Sequence, residues 1–470
     1  MITVSPRVLR GARGFALVAV LWIVLIAGVI LMGVNQSARM NFDMAHSDLE
    51  SVQARWLARA GIEQALAVLE DDPTAVDGVT EDWYDSPALF KEVELSGGVF
   101  SCLAPPDPPE DPRVPRYGLI DHGGRLNVNV ADDKQLAALP DVTAQQVDCI
   151  LDWRDADDEV RPNGAERGYY QRLKFPYDIR NGLLRTLQEL RLVRGIDDLA
   201  FYGEDTDLDG VLGPGEDDLN ASWPPDNGDG QLNVGLAGLT TVYSYELNRR
   251  ADGGNRLNIR TADKNTLMKE LNFSDALAQA VMNSRPSSLM DLLAVRPRTP
   301  GAGPSGGANP ATPGSAGPPS GSPAPSPSPT PASPGAGSSA LNQVTLAWLA
   351  EHLDELTLSD QERLPGRVNV NTAKREVLMT LPEIDGPTAD AILGRQSSSQ
   401  GSFGSVGELL DSGTVTEGQF KAMAERVTAR SSVFEVRSVA TTSGGFRHTI
   451  VAVVDRGVKP MTILYWWQSE

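Results

Sequence analysis

From Phe15 to Val34 the chain runs twenty residues without a charged side chain. As a helix rising ~1.5 Å per residue this stretch is about 30 Å long, the thickness of a bilayer hydrocarbon core, which predicts one membrane-spanning helix. Residues 35–70 predict an amphipathic continuation, with Leu49, Val52, Trp56 and Ala60, then Ile62, Leu66 and Leu69, recurring at helical spacing as its packed stripe. Asp71-Asp72-Pro73 stops it. The period then shortens. Strand-like runs at Leu89–Leu95 and Val99–Leu103, a Pro-rich loop from Pro105 to Pro115 and a stretch Tyr117–Val130 folding about His122-Gly123-Gly124 predict a small antiparallel sheet against the first helix. The same pattern returns at Val433–Thr441, Thr449–Val454 and Ile463–Trp467. Two strand regions around a long helical middle predict an α+β fold in which a large helical domain interrupts a sheet.

That middle contains an internal repeat. Arg125-Leu126-Asn127-Val128-Asn129-Val130-Ala131 recurs as Arg256-Leu257-Asn258-Ile259-Arg260-Thr261-Ala262 and as Arg367-Val368-Asn369-Val370-Asn371-Thr372-Ala373. Each copy leads into a short helix carrying Leu136, Leu267 or Leu378, and later into a capping box: Thr186 with Glu189, Ser288 with Asp291, Ser405 with Glu408. The unit resembles a helix-hairpin-helix, whose backbone amides hold a DNA phosphate in many repair proteins. The hairpin tips here read Pro140-Asp141-Val142, Asn272-Phe273-Ser274 and Glu383-Ile384-Asp385-Gly386, with acid or bulk where glycine amides should face phosphate. Packing of small helical modules is the better account, and no nucleic acid is expected.

The acidic residues are patterned as well. Asp205, Asp207, Asp209, Val211 and Glu216 stand at positions one, three, five, seven and twelve of a calcium-loop template, with Gly210 at its sharp turn. Pro214 and Gly215 oppose a regular exiting helix, so the expectation is an isolated calcium loop over 205–216. Asp226-Asn227-Gly228-Asp229-Gly230 is a weaker candidate. Asp155, Asp157, Asp158 and Glu166 could supply a further set of hard oxygen ligands. Calcium is therefore the expected cofactor.

Composition narrows the rest. The 470 residues carry a formal net charge of −21, which disfavours a nucleic-acid partner and favours cations. Two cysteines, Cys102 and Cys149, leave both a disulfide and two buried thiols open. From Arg298 the chain runs to Ala340 in Pro, Gly, Ser, Ala and Thr, with Asn309 the one exception and no aromatic, which predicts a disordered tether over 297–340. Four scattered histidines, and the lack of any nucleophile elbow, P-loop or dinucleotide fingerprint, predict a protein that is not an enzyme.

Arg7, Arg10 and Arg13 precede the apolar run, and the far more acidic remainder orients the start toward the cytoplasm and the bulk outward. Arg13-Gly14-Phe15 resembles a type IV prepilin leader, cut by prepilin peptidase between Gly14 and Phe15 with N-methylation of the new terminus. Loss of that leader takes three arginines and moves the net charge from −21 to −24. The fifth mature position, where such subunits usually carry Glu, is Ala19. A carboxylate unpaired in lipid is expensive, so its absence suits a subunit with nothing above it to pair with.

The string Asp152-Trp153-Arg154-Asp155-Ala156-Asp157-Asp158, then Gly164-Ala165-Glu166, Tyr169-Tyr170, Pro176-Tyr177 and Arg180-Asn181, on a chain with this leader and repeat, resembles the type II secretion minor pseudopilin K family. The resemblance implies a pilin-like fold with a large helical insertion, calcium sites in the insertion, and a place at the pseudopilus tip with minor pseudopilins I and J. Other pseudopilins, the inner-membrane assembly platform and prepilin peptidase are the remaining partners it implies. The expected organisation is a leader over 1–14, a transmembrane helix 15–34, its amphipathic continuation 35–70, the first part of the pilin-like domain 71–130, an inserted helical domain 131–296, the tether 297–340, a third helical repeat 341–430 and closing strands 431–470. The expected place is the inner membrane, single-pass, with the bulk in the periplasm. A minor pilin of a type IV pilus and a membrane-tethered DNA receptor are the alternatives.

Overall fold

The computed structural model describes residues 13–73, 75–107, 111–219, 221–297, 340–398 and 401–469. The leader up to residue 12 and the tether over 298–339 lie outside the described residues.

One helix, Arg13–Asp71, spans 59 residues, about 89 Å at ~1.5 Å per residue. Among the described residues it alone is long and apolar enough to cross a membrane. Its side chains from Phe15 to Leu49 are exposed, Ala19 excepted, and the first buried one is Glu50. Beyond that point Ala54, Leu57, Ala58, Ile62, Ala65 and Leu69 are buried against a sheet. The stripe expected from spacing is therefore corrected in its first half: Leu49, Val52 and Trp56 face outward. The reason is steric. The sheet comes close to the helix axis, and Gly61 is so tightly placed that a Cβ there would sit 2.1 Å from Ser438 Oγ and 2.9 Å from Phe100. Gly61, Ala54, Ala58 and Ala65 let the helix approach the sheet closely, while Leu57, Ile62 and Leu69 fill the remaining space beneath it.

The sheet is antiparallel, in the order Val93–Leu95, Gly98–Ala104, Val433–Thr442, Arg447–Asp455, Thr462–Gln468. Arg116–Tyr117 pairs with Gly98–Ala104, and Ile120–Asp121 with Val433–Thr442. Trp83, Phe90, Phe100, Phe434, Val436, Ile450 and Ala452 fill the space beneath the helix. Two sequence boundaries move. Leu89 belongs to the short helix Pro87–Phe90 and the strand begins at Val93. The chain leaves the sheet after Asp121, not at residue 130, because Leu126–Asn127 pairs with Thr240–Thr241 instead.

Between Asp121 and Val433 stand three modules built alike. Each opens on a two-residue strand that pairs in parallel with the strand closing the same module: Leu126–Asn127 with Thr240–Thr241, Leu257–Asn258 with Leu356–Thr357, Val368–Asn369 with Val427–Thr428. Two helices follow the opening strand: Asp133–Ala137 and Ala144–Arg154, Lys264–Glu270 and Asp275–Ser284, Arg375–Leu378 and Gly386–Gln396. In every pair the turn between them holds one left-handed residue, Asp141, Asn272 or Glu383.

The repeat's polar letters explain its persistence. Asn129 accepts from the Leu184 amide at 2.8 Å and donates to its carbonyl at 3.0 Å, and Asn371 grips Phe403 in the same way at 2.7 and 3.0 Å. Arg260 takes that position in the second module and makes no such clamp. The leading arginines are anchored too: Arg125 on Glu435 at 3.2 Å, Arg367 on Glu246 at 2.6 Å, and Arg256 on Glu246. The calcium-template loop interrupts the first module after the helix Asp198–Tyr202, and the tether interrupts the second before Leu346–His352. Both additions leave the strand closures intact.

Candidate functional site

Among the described residues, three acidic groups bring ligand-capable oxygens within 4.8 Å of one another: Asp152, Asp155 and Glu166; Asp205, Asp207 and Glu216; and Asp72, Asp77 and Glu81.

In the first group, Asp152 sits in the last turn of Ala144–Arg154, Asp155 caps that helix, and Glu166 precedes the turn Arg167–Tyr170. Trp153 and Tyr170 stack edge-to-face at 5.3 Å behind them and fix the two segments together. Both oxygens of Glu166, and one each of Asp152, Asp155 and Asn181, are buried without a hydrogen-bond partner. A buried acceptor left unpaired is costly, and the converging carboxylates of Asp152, Asp155 and Glu166 form a set of hard oxygen ligands. Burial together with the nearby Asp152, Asp155 and Asp158 pushes Glu166 up to about 7, and burial raises Asp152 and Asp155 as well. Arg161, 3.4 Å from Asp152, is the nearest counter-charge.

The sequence reading named Asp155, Asp157, Asp158 and Glu166 here. Asp157 and Asp158 are exposed: Asp157 accepts from the Glu159 amide, and Asp158 from Asn181 with Arg167 at 3.8 Å. Asp152 lies with Asp155 and Glu166 instead, and Asn181 bonds the Asp157–Asp158 segment beside them. Both lay in the quoted motif, but nothing in the spacing shows that the helix end turns Asp152 toward Glu166.

The 205–216 loop is wound differently. Asp205 accepts from the amides of Asp209 and Gly210 at 3.0 Å each, Asp209 from Val211 at 2.7 Å, and Glu216 from Thr206 and Gly213 at 3.0 and 2.9 Å. The loop thus holds its carboxylates inward through its own amides. Asp205, Asp207 and Glu216 converge, with Asp209 beside them. Burial and the surrounding carboxylates push Asp205 up to about 7 and Asp209 up to about 6. At 226–230 the Asp226 carboxylate accepts from the amides of Asp218, Leu219 and Gly228.

The third group needs no cation. Arg456 binds Asp72 at 2.6 Å and Asp77 at 2.5 Å, and Glu81 accepts from the Gly78 amide and Trp83 Nε1 at 2.8 Å each. With Asp121, which takes Ser431, Thr372 and Asn369, this group ties the sheet to the third module. The thiols are free and apart: Cys102 lies under the long helix and Cys149 in the first module. Burial pushes them up to about 12 and about 11.

Residues 125–201 match the family described as type II secretion system (T2SS), protein K, a stretch that opens on the first repeat and includes the Glu166 cluster. A type II secretion system protein K of Aeromonas hydrophila is 29% identical over 201 residues, which are 40% of this chain and 60% of that relative's length. A chain of the GspK-GspI-GspJ complex from enterotoxigenic Escherichia coli superposes over 91% of this chain and 99% of its own, with a TM-score of 0.40 and 15% identity, too distant to speak for contacts. The domain match and the named relative make the chain similar to type II secretion system protein K over these stretches, and the chain spans about 60% of that relative's length.

Proposed function

We propose that this chain is a minor pseudopilin that caps the tip of a type II secretion pseudopilus, assembled with minor pseudopilins I and J to support export of folded proteins across the outer membrane. The observation that carries the reading is the helix. The chain presents a helix bare from Phe15 to Leu49 and free of charge through Val34, whose open apolar face continues through Leu49, Val52 and Trp56 beside the sheet. A single subunit has no use for that face in water, and packing beside like helices would cover it. Ala19 in place of a carboxylate leaves nothing to draw the subunit beneath another, and the three modules make the head bulky enough to stop further addition.

Under this reading prepilin peptidase cuts between Gly14 and Phe15, the new terminus is methylated, and the helix anchors the protein in the inner membrane with the modules in the periplasm. The helix pairs act as helix-hairpin-helix-like scaffolding. Their left-handed tips carry Asp141, Asn272 and Glu383, and two carboxylates repel a phosphate. Calcium fits both oxygen-rich sites. Asp152, Asp155 and Glu166 would hold one ion through otherwise orphaned oxygens, and Asp205, Asp207, Asp209, Glu216 and the Val211 carbonyl another. The ion supplies charge neutralisation; the chain supplies the shaped cage.

Co-purification of the full-length chain in detergent with pseudopilins I and J of the same secretion system tests the proposal. A stable complex that includes both, and a mature terminus at methylated Phe15 by mass spectrometry, are expected. Absence of any complex in calcium, or subunits crosslinked above the head, would overturn it.

A further inference from the structure

Between the sheet face turned away from the long helix and the inserted modules lies a cavity of about 560 Å³, as the described residues bound it. Val453, Tyr465 and Trp467 line it from the sheet, and Phe201, Tyr202 and Tyr243 from the insertion. Carboxylates and cations both reach this space, but they differ in how far the protein satisfies them. Glu435 is held by His122 and Arg125 at 3.2 Å each. Asp121 accepts from Gly123, Ser431, Thr372 and Asn369, Asp205 from two loop amides, Asp107 from the Tyr84 hydroxyl, and the more exposed Asp207 from the Asp209 amide alone.

The cations are left with unspent donors. Arg116 lies over the Tyr84 ring at 3.8 Å and donates Nη1 to the Tyr84 carbonyl, yet its buried Nε–H has no acceptor. Arg437 donates Nη2 to the Leu208 and Asp207 carbonyls and also leaves Nε–H buried and unpaired. The half-buried Lys374 lines the cavity, and its ammonium makes no hydrogen bond or ion pair among the described residues. Burial first, then Arg125, lowers its pKa, against the pull of Glu376, Asp205 and Asp107. A cavity whose acids are occupied and whose donors are idle is complementary to an acceptor-rich guest, and its aromatic walls ask for an apolar body.

We propose that this cavity binds a small amphipathic carboxylate, with the acid head on Lys374 and the hydrocarbon body along Tyr465 and Trp467. The size suits a free aryl or alkyl acid or the last residues of an apolar-ended peptide. Bound there, it joins the sheet to the modules and stabilises the folded protein by mass action.

The test uses the full chain in detergent, with empty micelles as control. Calorimetric titration with 4-phenylbutanoate is compared with its uncharged analogue 4-phenylbutan-1-ol, and with a tetrapeptide ending in phenylalanine as free acid or amide. The acid should bind about tenfold or more tightly than the alcohol. Lys374→Met should remove that preference, Lys374→Arg should retain it, and Trp467→Ala should weaken acid and alcohol alike. A free-acid peptide that outcompetes phenylbutanoate while the amide does not identifies a chain terminus as the source; the reverse order identifies a free acid. Equal binding of acid and alcohol, unchanged binding in a folded Lys374→Met protein, or no binding of any probe at millimolar concentration would overturn the proposal.

Discussion

Glu166 is buried with both oxygens unpartnered beside Asp152 and Asp155, whereas the equally buried Glu246 is met by three arginines. The first arrangement costs stability whenever the carboxylates are charged. Glu166 titrates near 7 folded and near its ordinary value unfolded, so between about pH 4.5 and 7 the folded state binds more protons and stability falls as pH rises. With cations chelated, the melting temperature should therefore drop across that interval, and calcium should flatten the profile. Glu166→Gln should raise the chelated protein's melting temperature at pH 7 by about 2–4 °C and abolish the calcium-dependent rise, which thermal melts in chelator and in calcium would read. How much of this was legible is instructive. The convergence of Asp205, Asp207 and Glu216 is legible because local spacing fixes it. Asp152 is not, because it meets Glu166 only through the way a helix end is folded back by Trp153 and Tyr170.

At the scale of elements, the repeat was readable for the same kind of reason. Its asparagines and arginines each perform a bond that hydrophobic side chains cannot replace. Asn371→Ala should cost about 2 kcal/mol through two lost hydrogen bonds, while Arg260→Ala at the matching place should change little, as denaturant titration would report. The second half of the helix's packed face, with Ile62 and Leu69, is legible from spacing; the first half is not, because spacing favours Leu49, Val52 and Trp56 while the sheet takes Ala54, Leu57 and Ala58 there. Gly61→Val should destabilise the protein by about 1–3 kcal/mol, since Ser438 and Phe100 leave no room. Trp56→Glu should alter stability by less than about 0.5 kcal/mol and yet prevent recovery of partner pseudopilins in a pull-down.

Across the whole molecule, Glu246 joins modules that are far apart in sequence. It receives Arg256, Arg367 and Arg430, the last two at 2.6 and 3.2 Å, and Asp354 shares the first and third. Despite its burial, these guanidiniums hold it down at about 2. Removing the carboxylate strands buried positive charge, so Glu246→Gln should cost about 3–5 kcal/mol at neutral pH. Because the folded value lies below the ordinary one, the wild type's advantage is complete above about pH 4.5 and fades as pH falls toward 2; equilibrium unfolding at pH 7 and pH 3 would resolve it.

The sheet, by contrast, is closed late. Its central strand, Val433–Thr442, sets Arg437 opposite Leu103, and every module is synthesised between those two partners. The modules can each seal themselves through their own strand pairs as they emerge. The first hairpin cannot, because the neighbour it needs has not been made. A ribosome that stalls anywhere in the modules therefore leaves a product whose first hairpin keeps an open, greasy edge, the part of the fold most exposed to a protease until Val433–Thr442 is made.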